Sequence, residues 1–336
     1  MIKLVVNHGF ANDVANIARL FYGKEQLDIF QLEALGDHQG LFQVDDLILH
    51  SMLTYLEGSF EAKAVLRREG KQTSHIEEFP LRGAITPKNA SKLVMYKLLS
   101  DCFGKSYPWG ILTGIRPIKL VHQLLDENYD AEYIMGYLQS SYLMSQQKAD
   151  LALRIAAAER SFIYPLNHKM VSVYVGIPFC PTRCSYCSFT SNPIGKNIDL
   201  VDRYLKALDY EMTKTAEEMN KFSLQVQTIY IGGGTPTSLN EAQLQRLLDR
   251  AVKLFGSKAV EFTCEAGRPD TITEGKLKVL KESGVTRISI NPQTMNDRTL
   301  KAIGRAHTVE QTVESFRLAR KMGFDNINMD LILGLP

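Results

Sequence analysis

Residues 176–189 of this chain read Gly176-Ile-Pro-Phe-Cys-Pro-Thr-Arg-Cys-Ser-Tyr-Cys-Ser-Phe189. The segment follows a short β-branched run and carries Cys180, Cys184 and Cys187 in the spacing C-x3-C-x2-C. Cysteine thiolates are the usual ligands of iron–sulfur clusters, and a 4Fe-4S cluster normally takes four of them. Three thiolates in one loop therefore predict a cluster with one iron free to bind a substrate or cofactor.

A zinc site is the main alternative for these cysteines. Zinc sites commonly combine a C-x2–4-C pair with a second pair of Cys or His further along the chain. Only one C-x2-C pair is present here, and no second pair follows it. His168 and His307 are the candidates for a fourth ligand, and neither belongs to a pair. The spacing favours the cluster, and a zinc-holding structural or RNA-contacting protein remains as a rival interpretation.

Length and composition indicate a globular protein with room for two domains. Of the 336 residues, 45% are hydrophobic and 23% charged, and the formal net charge is +2. So small a charge gives no general attraction to nucleic acid or to a membrane surface. Charges interrupt every apolar run, so we expect no signal peptide and no membrane segment. A three-thiolate site fits the reducing cytoplasm, and Cys102 and Cys264 are predicted to be buried small apolar residues.

From about residue 172, short β-branched runs alternate with amphipathic stretches, which is the pattern of βα units. Five predicted strands cover residues 172–177, 228–231, 260–264, 287–290 and 327–332. The helices between them have recognisable ends. Asn240 and Thr308 each precede a glutamine by three positions, as in a capping box. Gly284 and Gly323 follow last helical turns, where a left-handed residue is commonly needed.

Five such units predict a partial (β/α) barrel over residues 171–336, with a doubly wound sheet as the alternative. The candidate site residues favour the barrel, because each falls at the C-terminal end of a strand or in the following loop, where barrel active sites lie. The sequence stops at Pro336, directly after the fifth predicted strand. We therefore expect a domain that is truncated after that strand.

Residues 1–170 are predicted to form a separate α+β domain whose role the sequence does not indicate. The predicted elements are a strand at 1–7, a helix at 11–22, a β-meander within 41–79 and helices within 88–162, interrupted at 107–117. In the segment Leu112-Thr-Gly-Ile-Arg-Pro-Ile-Lys119, Arg116 or Lys119 could meet an anionic group, but the loop composition favours a solvated turn.

A second motif, Tyr230-Ile-Gly-Gly-Gly-Thr-Pro236, directly follows the second predicted strand. Its glycines lack Cβ atoms, so backbone amides can approach a ligand closely. A phosphate-binding loop would need the pair Lys-Ser or Lys-Thr after the glycines, and no such pair is present. Beside the cysteine loop, this motif resembles the glycine motif of radical S-adenosylmethionine (SAM) enzymes. In that family SAM occupies the open iron, and an electron from the cluster cleaves SAM to methionine and a 5′-deoxyadenosyl radical.

Residues 171–336 resemble, more specifically, the oxygen-independent coproporphyrinogen III oxidase (coproporphyrinogen dehydrogenase) family and its HemZ-type branch. The motifs that carry this resemblance are Tyr174-Val-Gly-Ile-Pro-Phe-Cys180, Gly232-Gly-Gly-Thr-Pro236, Cys264-Glu265, Ile288-Ser-Ile-Asn-Pro-Gln293, Ile303-Gly-Arg305 and Asn328-Met-Asp-Leu-Ile332. The resemblance implies a 4Fe-4S cluster on the three loop cysteines and one or two molecules of SAM.

The resemblance also implies a set of binding residues. Those that would contact SAM are Tyr174, Gly233, Gly234, Thr235 and Glu265, and those that match a second SAM position are Tyr186, Gln293, Arg305 and Asp330. Glu265 can accept hydrogen bonds from an ammonium group or from hydroxyls, and Arg305 can grip a carboxylate through two parallel bonds. Asp330 is expected within an apolar strand, where an unpaired charge would be costly to bury. No residue is predicted as catalytic.

By this resemblance the chain would be a cytoplasmic radical SAM oxidoreductase of porphyrin and haem biosynthesis. Its expected reaction converts two propionates of coproporphyrinogen III to the vinyls of protoporphyrinogen IX without oxygen, with flavodoxin or ferredoxin as electron donor. Two departures favour another function. Decarboxylating relatives carry a histidine where Gly176 stands and a further cysteine where Phe189 stands. Their absence favours a haem chaperone, a haem-transfer protein that retains the cluster and the SAM site.

Overall fold

A computed structural model describes the chain except for Met1, Lys24, residues 32–46, Ile115, residues 257–258 and the side chain of Lys196. The chain divides into two compact units, Met1–Pro165 and Leu166–Pro336. The first unit combines helices with a mixed sheet, and the second alternates parallel strands with helices. The predicted fold class, an α+β region followed by an α/β domain, is confirmed. Within the described ranges, no helix has both the length and the apolar character that crossing a membrane requires.

The first unit is built on one five-stranded sheet. Its elements are β1 (Ile2–Val6), α1 (Ala11–Tyr22), β2 (Leu27–Gln31), β3 (Leu47–Tyr55), β4 (Ser59–Arg68), β5 (Lys71–Pro80), α2 (Pro87–Phe103), α3 (Ile118–Asp126), α4 (Ala131–Tyr142) and α5 (Gln146–Ile163). The strand order is β2-β1-β3-β4-β5, and the antiparallel strands β3, β4 and β5 form the predicted meander. Residues 41–46 of that prediction lie outside the described residues.

Helix α2 forms the centre of this unit. The Thr86 side chain accepts a hydrogen bond from the Asn89 N–H and so caps its first turn. Every residue from Ala90 to Tyr96 is buried, so the helix has no solvent face along that length. A helix buried on all sides must lie between other elements, and α2 packs against β3, β4 and β5 as well as α1 and α4. Cys102, in its last turn, is exposed, so the prediction of a buried residue there is wrong.

The second unit contains a parallel five-stranded sheet. Its elements are β6 (Met170–Ile177), β7 (Phe179–Cys180), β8 (Asn192–Pro193), α6 (Ile198–Lys221), β9 (Gln225–Gly233), α7 (Glu241–Phe255), β10 (Glu261–Glu265), α8 (Glu274–Glu282), β11 (Arg287–Ser289), α9 (Asp297–Ala302), α10 (Val309–Lys321) and β12 (Asn326–Asn328). The sheet order is β12-β11-β10-β9-β6. Each strand thus lies beside its predecessor in the sheet. A doubly wound sheet would reverse direction at a switch point, so the order agrees with the partial barrel.

The two faces of this parallel sheet differ sharply in polarity. The face packed against the helices carries buried apolar side chains, namely Val175, Ile177, Ile229, Ile231, Phe262, Cys264 and Ile288. Alternate residues on the other face are polar or aromatic, because successive side chains of a strand point to opposite sides. The strand register aligns Tyr174 with Tyr230 on that face, and Tyr230 with Thr263. The polar face therefore extends to the C-terminal ends of the strands, and the cysteine loop follows the C-terminal end of β6.

The predicted helix ends are confirmed. Asn240 and Thr308 both form complete capping boxes with the glutamine three positions on. Gly284 and Gly323 both have φ of +84°, a conformation that glycine adopts without strain. The fifth predicted strand is too long, because β12 ends at Asn328. Beyond it, Leu331 forms an isolated parallel bridge with Gln293, in the loop that follows β11.

Candidate functional site

The cysteine loop follows the end of β6, and its two ends pair with each other through β7 and β8. Cys180 lies in β7, which pairs with β8, and its side chain is buried. Cys184 and Cys187 are half-buried and share a turn in which the Cys187 N–H donates to the Cys184 carbonyl oxygen at 3.1 Å. All three thiols are free. A single segment therefore carries one buried and two half-buried cysteines.

The glycine motif braces this loop. The Gly234 N–H donates to the Ile177 carbonyl oxygen and the Thr235 N–H to the Phe179 carbonyl oxygen, each at 2.7 Å. A Cβ at Gly234 would lie 2.6 Å from the Phe179 oxygen and 3.0 Å from Cys180 Sγ. The buried Thr235 hydroxyl donates to Cys180 Sγ at 3.3 Å. Gly234 and Thr235, predicted from the resemblance to contact SAM, are thus placed directly against the first cysteine.

Glu265 ends β10 beside two stacked tyrosines. The rings of Tyr174 and Tyr230 are parallel within 13° and 5.6 Å apart, and the Tyr230 hydroxyl donates to Glu265 Oε1 at 2.6 Å. Burial raises the pKa of Glu265, although hydrogen bonds from Tyr230 and from the Gly233 backbone act in the opposite direction. A Cβ at Gly232 would lie 2.6 Å from the Tyr230 ring and 3.0 Å from the Glu265 carboxyl carbon. The missing Cβ leaves room for the Tyr230 ring and the Glu265 carboxylate to lie here.

Arg305 lies in the loop after α9 and is only 9% exposed. Its Nη1 donates to the carbonyl oxygens of Gly267 and Asn291 at 3.3 and 3.2 Å, and its Nη2 donates to the Tyr186 hydroxyl at 3.3 Å. Nε is buried without a hydrogen-bond partner. No carboxylate pairs with this guanidinium among the described residues. Because an uncompensated buried cation is costly, Arg305 is a candidate ligand for an anionic group.

Gln293 and Asp330 meet through their backbones. The Gln293 N–H donates to the Asp330 carbonyl oxygen at 2.9 Å, and Gln293 has a positive φ of 65°. The Asp330 carboxylate is exposed and accepts a hydrogen bond from Asn328 Nδ2 at 2.9 Å. The expectation of a buried charge inside an apolar strand is therefore wrong, because β12 ends two residues earlier. Both side chains remain candidates that the structure places after the ends of neighbouring strands.

Sequence reasoning missed Arg268, in the loop after β10. Its guanidinium is buried, donates to Cys184 Sγ at 3.6 Å and forms an ion pair with Asp270 at 3.1 Å. Burial alone would raise the pKa of Asp270, but the adjacent His307 ring and the hydrogen bonds from Arg268 hold it well below its ordinary range. An arginine between glycine and proline in a loop is ordinarily solvated. No local pattern indicated that this one reaches the cysteine loop.

The donor set fits an iron–sulfur cluster. Cys180 and Cys184 each accept a hydrogen bond at sulfur, from Thr235 and Arg268. Hydrogen bonds to the ligand sulfurs are a usual second layer of support in such sites. In the described part of the chain, no three His, Cys, Asp or Glu side chains converge on a single-ion site.

The two histidines considered as fourth zinc ligands lie at different places in the second unit. His168 precedes β6, at the strand end opposite the loop, and eight residues of strand span roughly 26 Å. His307 is buried with Nδ1 3.7 Å from the Asp270 carboxylate. Among the residues that the structure describes, neither histidine belongs to a metal-binding group with the three thiols.

The parallel sheet, the three-cysteine loop and the glycine brace are together those of a radical SAM domain. Residues 174–336 match the model of the radical SAM superfamily, and the second unit of this chain belongs to that superfamily. The prediction of the superfamily is confirmed, and with it the cofactors that it uses, a 4Fe-4S cluster and SAM.

Comparison with individual proteins connects the chain to haem-related relatives. It is 40% identical over 326 residues to the oxygen-independent coproporphyrinogen-III oxidase-like protein HemZ of Bacillus subtilis, covering 96% of this chain and 64% of that protein. It is 45% identical over 169 residues to the haem chaperone HemW of Bacillus subtilis, covering 50% of this chain and 43% of that protein. The chain thus spans less than two thirds of either relative. The solved structure of coproporphyrinogen III oxidase (HemN) from Escherichia coli matches with 31% identity and a TM-score of 0.45, over 54% of this chain and 41% of that one.

Proposed function

We propose that this protein is a radical SAM enzyme that acts on a tetrapyrrole carrying propionate side chains. Its proposed reaction is the oxygen-independent decarboxylation of two propionates of coproporphyrinogen III to the vinyls of protoporphyrinogen IX. The observation that carries the proposal is the braced loop of three free thiols at the C-terminal edge of a parallel sheet. Similarity along nearly the whole chain to a coproporphyrinogen-III oxidase-like protein supports the substrate class.

Different residues of the chain would bind the cluster, SAM and a carboxylate group. Cys180, Cys184 and Cys187 would hold the cluster, which when reduced supplies the electron that cleaves SAM. Glu265 would accept hydrogen bonds from the ammonium group or ribose hydroxyls of SAM, and its pairing with Tyr230 keeps the carboxylate in place. Arg305 would bind a carboxylate, since its charge is uncompensated within the described structure.

For each propionate, a hydrogen atom would pass from the β-carbon to the 5′-deoxyadenosyl radical that SAM supplies when cleaved, giving 5′-deoxyadenosine. The carboxylate would then depart as CO2, one electron would pass to an acceptor, and the remaining two carbons would become a vinyl group. The residues named above would hold the reactants in place for this reaction. We further propose that flavodoxin or ferredoxin supplies the electron for SAM cleavage, and that the protein works in the cytoplasm.

A haem chaperone is the second candidate, and two positions favour it. Gly176 and Phe189 stand where decarboxylating relatives have histidine and cysteine. Phe189 is 69% exposed next to the third cysteine, and an exposed aromatic ring suits stacking on a flat macrocycle better than radical transfer. Similarity of half the chain to haem chaperones supports the same alternative.

An anaerobic product assay separates the two candidates. Cluster-reconstituted protein is incubated with SAM, dithionite and coproporphyrinogen III, and 5′-deoxyadenosine, CO2 and vinyl products are measured. The proposal expects all three, and expects none from the Cys184→Ala variant. Stoichiometric haem capture without CO2 release would reject the decarboxylase in favour of the chaperone.

A further inference from the structure

Arg268 connects the cysteine loop to the loop that follows β10. One edge of its guanidinium donates to the Thr182 carbonyl oxygen at 3.3 Å, to the Thr182 hydroxyl at 3.1 Å and to Cys184 Sγ at 3.6 Å. Its Nε and Nη2 donate to the two carboxylate oxygens of Asp270, at 3.1 and 3.3 Å. The side chain is 3% exposed. A single buried cation is thus shared between a carboxylate and a cysteine of the candidate cluster site.

The segment that carries this pair is itself fixed. The Thr271 N–H and hydroxyl both bond to the Arg268 carbonyl oxygen, at 2.9 and 2.8 Å. The Ser315 hydroxyl of α10 donates to the Pro269 carbonyl oxygen at 3.4 Å. These bonds to the backbone on either side hold Asp270 in place. The two oxygens of its carboxylate in turn fix the plane of the Arg268 guanidinium.

The same contacts fix the cysteine loop. Thr182 receives two bonds from Arg268, and its own hydroxyl donates to the Gly304 carbonyl oxygen at 3.0 Å. Thr182, which lies between Cys180 and Cys184, thus attaches the loop to the segments that carry Arg268 and Gly304. Loss of the guanidinium would remove two bonds to Thr182 and one to Cys184 together, and would leave Thr182 with its bond to Gly304.

We propose that Arg268 is a positioning residue that also raises the reduction potential of the cluster through Cys184. The inference rests on the proposed cluster at the three cysteines. Reduction adds negative charge that spreads onto the ligand sulfurs, so an N–H donor and a buried positive charge at one sulfur favour the reduced form. Asp270 opposes this effect, because its negative charge partly compensates the guanidinium from the far side.

Opposite shifts from two variants that each remove one charge test the proposal. Arg268→Gln removes the positive charge. We expect the equilibrium constant for one-electron reduction of the cluster to fall at least tenfold, which corresponds to a reduction potential lower by about 59 mV. Asp270→Asn keeps an oxygen acceptor for the arginine but removes the opposing charge, so the potential should rise. Arg268→Lys keeps the charge without the planar fork and should fall between wild type and Arg268→Gln. The readout is an EPR-monitored anaerobic redox titration of each cluster-loaded protein at one pH.

Arg250→Gln is the matched control, since Arg250 pairs with Asp209 between α7 and α6 and should leave the potential unchanged. Equal potentials in wild type and the two Arg268 variants would overturn the proposal, as would shifts of the same sign in Arg268→Gln and Asp270→Asn. If Arg268→Gln does not fold, the signs for Asp270→Asn and Arg268→Lys decide the question. A wild-type protein that takes up iron and sulfide but shows no SAM cleavage would reject the proposed function while leaving this inference intact.

Discussion

Replacement of Gly234 by alanine tests how tightly the glycine motif packs against the cysteine loop. The added Cβ would lie 2.6 Å from the Phe179 carbonyl oxygen, 2.8 Å from the Ile177 carbonyl oxygen and 3.0 Å from Cys180 Sγ. Contacts below 3 Å between carbon and backbone oxygen are not tolerated, and neither oxygen belongs to a flexible side chain. The strands must therefore separate locally.

The magnitude follows from what that separation disturbs. Overpacking by one methyl group typically costs about 1–3 kcal/mol. The two oxygens also accept the 2.7 Å hydrogen bonds from Gly234 and Thr235, and weakening them adds roughly 1 kcal/mol, given about 0.5–1.5 kcal/mol for each bond. We expect Gly234→Ala to lower the free energy of unfolding by about 2–4 kcal/mol. Cluster loading should fall as well, because Cys180 must move.

Urea unfolding followed by circular dichroism, together with iron and sulfide content after reconstitution, measures both effects. Gly195→Ala is the matched control, since a Cβ there meets no atom within 4 Å and its φ is not in the left-handed region. A Gly234→Ala protein that unfolds at the wild-type midpoint and takes up a full cluster would refute the packing described for this loop.

Three further predictions concern the site itself. Cys184→Ala should lose the cluster and with it SAM cleavage, and an unchanged iron content would contradict its assignment as a ligand. Arg305→Gln should retain the cluster yet weaken binding of a carboxylate-bearing ligand at least tenfold, as isothermal titration with SAM under anaerobic conditions can measure. Glu265→Gln should stabilise the ligand-free protein at neutral pH. Burial raises the pKa of Glu265 in the folded state, so the stability that its neutral form contributes is present below its ordinary pKa near 4.5 and is lost as pH rises through the folded value. Glutamine is neutral at every pH and does not show this loss. The difference in free energy of unfolding between the variant and the wild type should therefore shrink to zero towards pH 4, and a difference in urea unfolding that does not depend on pH would contradict this origin.

The features that sequence could predict are those that neighbours along the chain determine. The capping boxes at Asn240 and Thr308 need only residues within one helical turn, and both are present as predicted. Alternating apolar runs located all five strands, because a strand that is buried on one face has an apolar residue at every second position. The cysteine spacing likewise predicted the loop on its own.

The features that could not be predicted depend on partners distant in sequence. Arg268 lies more than eighty residues from the cysteine whose sulfur it contacts, and its own neighbours give no indication of burial. Asp330 was expected in a strand because its neighbours are apolar, yet pairing with β11 ends at Asn328 and the carboxylate remains exposed. Periodicity gives the element type but not where the hydrogen-bonded partner ends.

Gly176 and Phe189 bear on the choice between decarboxylase and haem chaperone, and packing does not explain either residue. A Cβ at Gly176 would meet only the Tyr174 ring, at an ordinary contact distance of 3.6 Å. Phe189 contributes little to a core, since most of its surface is exposed. A Cβ at position 176 and a smaller side chain at position 189 would therefore disturb no close packing. Neither residue is explained by the packing around it. A Gly176→His/Phe189→Cys protein that gained CO2 release, with its folding and cluster intact, would show that these two side chains separate the two functions.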